Sequence, residues 1–179
     1  MKNIKIFESW VSPAHEKKLL EIKHLATNKV IAEIEGNGVY DLRGIELNGF
    51  DFTKADFRAY SLTDIEINEC DFKQSNLEDT VLKKSILQNT NFKNTNFNFS
   101  TFEDAKIIQC DFSNSKFHSV DLKNTIFTQC DFTNCKYFSE TKNISDAYFL
   151  ECDFLDVDMS WVNEDIRNAI FIDCKNISF

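Results

Sequence analysis

Large apolar residues recur at every fifth position from Leu42 to Tyr137, as in Leu47, Phe52, Phe57, Leu62, Ile67 and Phe72. With 42% hydrophobic residues overall, an unbroken run of twenty such positions would arise by chance about three times in a hundred million. A period of five is neither the 3.6 of a helix nor the 2 of an ordinary strand. It predicts a solenoid in which short units stack and bury one residue each. Two positions before most centres stands a small residue, such as Ala55, Ser75, Thr95, Cys110, Thr125 or Cys135, and one position before stands Asp or Asn in many units.

These units, seen in Ala55-Asp56-Phe57 and Cys110-Asp111-Phe112, resemble the pentapeptide-repeat family. The resemblance implies an all-β fold: a right-handed, four-sided parallel β-helix with one pentapeptide per side and four per coil. It also implies that the centre and the small residue point inward and the other three outward. A narrow solenoid has room for one large side chain per side with only small groups beside it.

The regular pattern covers residues 40–138, and its register resumes at Ile144, Phe149, Phe154 and Met159, then at Ile166 and Phe171. Gaps of seven at 137–144 and 159–166 predict two-residue corner insertions after 137 and after 159. Five regular coils, a longer sixth and an unfinished seventh follow, about seven in all, over residues 40–179. Asn176 falls where a centre residue would, so the core pattern stops there.

Residues 1–39 are expected to cap the open N-terminal end, which otherwise exposes core and strand edge. Ser12-Pro13 reads as a helix start, and Leu19, Leu20, Ile22, Leu25 and Ala26 give an apolar stripe, so a helix is expected from about Pro13 to Thr27. Short strands are expected at Ile4–Phe7 and Val30–Ile34. Gly36-Asn37-Gly38 then turns the chain into the solenoid.

The net charge of −9 is uneven: residues 139–179 carry three bases and nine acids, hence −6 of it. Phosphate contacts need an excess of Lys and Arg, which so acidic a chain does not have, so direct nucleic-acid binding is not expected. No apolar run has the length of a membrane span and Met1–Trp10 lacks a signal-peptide pattern, which makes a cytoplasmic location the simplest expectation. Cys70, Cys110 and Cys130 lie multiples of twenty apart, and Cys152 and Cys174 join them once the insertions are counted. Such a ladder of inward thiols is expected to be reduced, and a straight stack cannot form a tetrahedral metal site. No cofactor is expected.

Sorted by side, the outward residues offer two candidate surfaces. The second side carries Ile86, Ile108, Ile126, Tyr148, Leu150, Ile170 and Ile172 facing out, an apolar strip that marks either an interface or a face covered by the N-terminal helix. Trp161, at the second corner insertion, is a candidate anchor beside it. The third side stacks Asp51, Asp71, Asn91, Asp111, Asp131 and Asp153 over about 24 Å. Its candidate functional part is Asp111, Asp131 and Asp153 with Asp156, where no Lys follows. An Asp here is equally a family habit.

His118-Ser119 with Asp121 has triad residue types, but neighbours in an extended strand point to opposite faces, and no catalytic site is expected. Three functional readings follow. The first is a non-catalytic module that holds a partner protein, a toxin or an enzyme, and neutralises or regulates it. The second comes from the resemblance, because some pentapeptide-repeat proteins imitate duplex DNA and protect DNA gyrase from inhibitors. The third is a structural homo-oligomer, with the strip and the open C-terminal end pairing across a two-fold axis.

Overall fold

In the computed structural model, which describes residues 18–24, 27–36, 40–160 and 168–177, the chain winds as a right-handed four-sided parallel β-helix. The centre residues fill its axis: Phe52, Phe72, Phe92, Phe97, Phe112 and Phe132 are all 0% exposed. Down the third side they stack ring on ring, with Phe92–Phe112 at 5.2 Å and 7° and Phe132–Phe154 at 5.1 Å and 2°.

The small inward residue has a second job. Thr95 Oγ1 donates to the Phe72 carbonyl at 2.8 Å, Thr125 Oγ1 to that of Phe102 at 2.9 Å, and Cys135 Sγ to that of Phe112 at 3.0 Å. Such bonds satisfy polar atoms in a dry core, although Ser75 and Ser85 at the same position bury an Oγ that makes none. The residue two after each centre turns the corner in the left-handed region, as at Lys54 (φ 59°), Asp64 (57°) and Asn94 (58°). That conformation is unfavourable for most L-residues. Neighbouring coils lock it: the Lys54 amide donates to Lys73 O at 2.9 Å, and the Asn94 amide to Ser113 O at 3.0 Å.

Among the described residues only the second side forms a continuous ladder of three-residue strands: β3 (Glu46–Asn48), β5 (Glu66–Asn68), β6 (Ile86–Gln88), β7 (Lys106–Ile108), β8 (Ile126–Thr128), β9 (Tyr148–Leu150) and β10 (Ile170–Ile172). All pair in parallel. Partners lie twenty residues apart up to Lys106↔Ile126, then twenty-two apart at Ile126↔Tyr148 and Tyr148↔Ile170. These seven strands delimit six turns, with two residues added in each of the last two.

The first insertion corrects the expected register. Tyr137, at the fifth-residue position, takes φ 60° and is 48% exposed, whereas Phe138 opens a 3-10 turn (Phe138–Glu140) and is fully buried. Phe138 packs 5.6 Å from Phe117 and 5.7 Å from Phe154. A phenol carries a hydroxyl that needs a partner when buried; a phenyl ring does not. The extra residues let the chain choose the phenyl. The second insertion, with Trp161 and Ile166, lies outside the described residues.

The N-terminal segment also departs from expectation. Residues 18–24, read as part of a helix, form strand β1 (Lys18–His24), antiparallel to β2 (Val30–Gly36), which contains the expected strand at 30–34. β1 also pairs antiparallel with β4 (Ala55–Asp56) on the fourth side, through Lys23↔Asp56 and His24↔Ala55. Leu20 and Ile22 are buried and Glu21 is exposed, a strand alternation inside what reads as a helical stripe. The open edge of the first coil decides the matter, since a strand satisfies its backbone groups and a helix does not. The expected strand at 4–7 and the start of the helix lie outside the described residues.

Candidate functional site

The outer face of the second side carries two columns parallel to the solenoid axis. Strand register stacks Ile86, Lys106, Ile126, Tyr148 and Ile170 in one, and Gln88, Ile108, Thr128, Leu150 and Ile172 in the other. Ile126 is 39% exposed, Tyr148 44%, Ile170 37% and Ile172 46%, while Ile86, Ile108 and Leu150 are half-buried. Lys106 separates Ile86 from the rest, so the continuous apolar patch runs from β8 to β10 with Ile108 diagonal to it. The described N-terminal strands lie on the fourth side, not over this one.

Polar corners frame the patch. Gln109 Nε2 donates to Gln129 Oε1 at 3.1 Å and Gln129 Nε2 to Glu151 Oε2 at 2.7 Å, forming a rail along one edge that continues to Asp173. Asp104, Asn124 and Asp146 occupy the corners of the other edge, with Asn124 Nδ2 donating to Asp104 Oδ1 at 3.0 Å.

The Asp column of the third side is stacked as expected, through Asp111↔Asp131 and Asp131↔Asp153. Its carboxylates serve the fold, however. Asp71, Asp111 and Asp131 each accept from the amide two residues on at 2.8 Å, and Asp153 does so at 3.1 Å. Asn91 makes the same bond to the Lys93 amide at 3.0 Å, so the position needs an oxygen rather than a charge. Asp156 sits exposed at the following corner with φ 57°, outside the column.

The triad residue types do not assemble. His118 Nδ1 meets Glu140 Oε2 at 2.5 Å, the Ser119 amide donates to the Glu140 carbonyl at 2.8 Å, and Asp121 accepts from the Lys123 amide at 3.1 Å. The His118 ring lies edge-on between Phe99 at 5.2 Å and Tyr137 at 6.2 Å. Sequence reasoning missed this exposed aromatic corner. Its one signal was Phe99, a large ring at a corner position otherwise held by Asn, Asp, Gln, Glu, Lys, Ser, Ala or Gly through the regular coils.

All six cysteines are free, and burial pushes the Cys110 thiol up to about 12 and that of Cys135 higher still. Such thiols stay protonated and are poor nucleophiles. Among the described residues no group of His, Cys, Asp and Glu could hold a metal ion, and no helix is long and apolar enough to cross a membrane. A recess of about 530 Å³ between β1 and the first coil is lined by Glu21, Lys23, Tyr40, Asp56, Arg58 and Tyr60, among others. Its charges cancel locally: Lys23 pairs with Glu21 at 3.2 Å and Arg58 with Asp56 at 2.6 Å. The hydrogen bonds from Arg58 hold the Asp56 carboxyl below the usual carboxylate range.

Comparison with known proteins agrees with this geometry. Residues 61–98 and 95–134 match the family described as pentapeptide repeats, in eight copies. Over residues 61–134 the chain carries the repeats of the pentapeptide-repeat family. Among solved structures it is similar to a pentapeptide repeat protein from the Arabidopsis thaliana thylakoid lumen, at 24% identity over 65% of this chain and 70% of that one, with a TM-score of 0.39. It is also similar to QnrB1, a plasmid-mediated fluoroquinolone resistance protein (14% identity, 72% and 84% covered, TM-score 0.35). A third similar structure is HetL of the cyanobacterium Nostoc, a protein involved in heterocyst differentiation regulation (14%, 74% and 85%, TM-score 0.21). No curated protein matches the sequence. The fold is consistent with a non-catalytic interaction module.

Proposed function

We propose that this protein holds a partner protein on the outer face of its second side and thereby neutralises or regulates it. The observation that carries the reading is the exposure of Ile126, Tyr148, Ile170 and Ile172 side by side on three parallel strands. Burying one such side chain stabilises a complex by about 1.5–3 kcal/mol at most, and four adjacent ones supply the apolar centre of an interface. A solenoid whose backbone is bonded coil to coil also loses little freedom when it binds.

DNA mimicry toward gyrase is the weaker reading, because the Asp111, Asp131 and Asp153 carboxylates face turn amides and an Asn does the same work at position 91. A homodimer through the strip uses the same surface and is separated by its concentration dependence.

The test is a pull-down from native extract with wild-type bait beside the Ile126→Asp/Ile170→Asp variant, both checked for fold and for mass by sedimentation. One protein bound by wild type and lost in the variant is the expected result. A partner retained by both baits rejects the strip, and a wild-type dimer that the variant abolishes assigns the strip to self-association.

A further inference from the structure

We propose that the strip receives an amphipathic helix from a basic partner, laid along the solenoid axis. The inference rests on the reading above and adds the shape and charge of what binds.

Strands β8, β9 and β10 are bonded to one another within the sheet, so its face presents side chains and offers no backbone ladder. An extended segment lying across that face would leave its own N–H and C=O groups without partners. A helix satisfies its backbone internally and needs only an apolar face to contribute.

The spacing agrees. Rows of the strip repeat at about 4.8 Å and its two columns stand about 6.6 Å apart, two residues along a strand. A helix advances about 5.4 Å per turn, so one turn matches one coil with a drift of about 0.6 Å per row. Over the three rows of Ile126, Tyr148 and Ile170 the apolar residues of successive turns stay opposite their own strands.

Charge selects the partner. Exposed Asp146 stands at one edge of the patch and exposed Glu151 and Asp173 at the other, while from β8 to β10 the strands themselves carry no base. A helix with Lys or Arg on both flanks of its apolar stripe places cations against both edges.

The probe is a pair of synthetic peptides of identical leucine and lysine content, each about four helical turns of residues long. In one the leucines follow helical spacing; in the other leucine and lysine alternate. Fluorescence anisotropy should show the helical peptide binding at least about tenfold more tightly than the alternating one. Ile126→Asp/Ile170→Asp should weaken it by at least about tenfold. Asp146→Asn/Glu151→Gln/Asp173→Asn should weaken it and flatten its salt dependence. Equal binding of the two peptides, or undiminished binding by the folded isoleucine variant, overturns the proposal. If the helical peptide fails while the native partner is still lost with the isoleucine variant, the helix is wrong and the interface stands.

Discussion

Phe112 and Phe132 lie one coil apart with ring centroids 5.2 Å apart and only 9° between their planes. The relationship follows from the register, Asp111↔Asp131, which places the two centre residues on the same side at the same height within their coils. Both rings are fully buried, so each is the next one's floor. Phe132→Ala removes a ring from the middle of a column and should destabilise the protein by about 3–5 kcal/mol. Urea denaturation measures this, and a loss below about 1 kcal/mol would mean the column is not the continuous core described.

Tyr137 and Phe138 provide a sharper test of register. Phe138→Ala should cost about 3–5 kcal/mol, whereas Tyr137→Ala, at an exposed site, should change stability by no more than about 1 kcal/mol. The reverse order would restore Tyr137 to the axis.

The third-side carboxylates separate charge from turn chemistry. Asp131→Ala leaves the Thr133 amide without its 2.8 Å partner and should cost about 1 kcal/mol. Asp131→Asn keeps an oxygen and should be nearly neutral. The triple variant Asp111→Asn/Asp131→Asn/Asp153→Asn is therefore a clean probe of the stripe. It should stay folded with its strip interaction intact, and loss of partner binding in this variant would return the stripe to the candidate surfaces.

Cys110 gives the protein an alkaline limit. Burial raises its thiol from 9.0 to about 12 in the folded state. A raised acid pKa means that the folded chain keeps its proton where the unfolded chain has lost it. This contribution is complete below pH 9 and falls away between pH 9 and about 12, by about 1.4 kcal/mol per pH unit. Cys110→Ser should flatten the decline in that window, measured by denaturation at a series of pH values. A thiol reagent at neutral pH should label Cys110 only as the protein unfolds; rapid labelling of the folded form would contradict its burial.

How much was legible follows from where each decision is made. The assignment of residues to the inside or outside of Leu42–Cys135 is a local matter, because each pentapeptide has room for one large side chain and a small neighbour on the axis. The ladder of cysteines, the two-residue additions and the outward columns follow by counting. Asp or Asn before the centre was visible as a habit, but its cause, an oxygen bonded two residues on, belongs to the turn geometry.

Three matters needed the folded chain. Leu20 and Ile22 fit both a helical stripe and a strand alternation, and the unpaired edge at Ala55–Asp56 made residues 18–24 a strand. Tyr137 and Phe138 compete for one place in the core, and only packing against Phe117 and Phe154 selects the ring without a hydroxyl. Phe99, His118 and Tyr137 meet across consecutive coils, a juxtaposition that no local spacing marks. The sequence alone determined the repeat, because a five-residue steric rule acts within each unit; the tertiary structure decided the end cap, the irregular corner and the exposed cluster, because there non-local hydrogen bonds and shared core space outweigh local pattern.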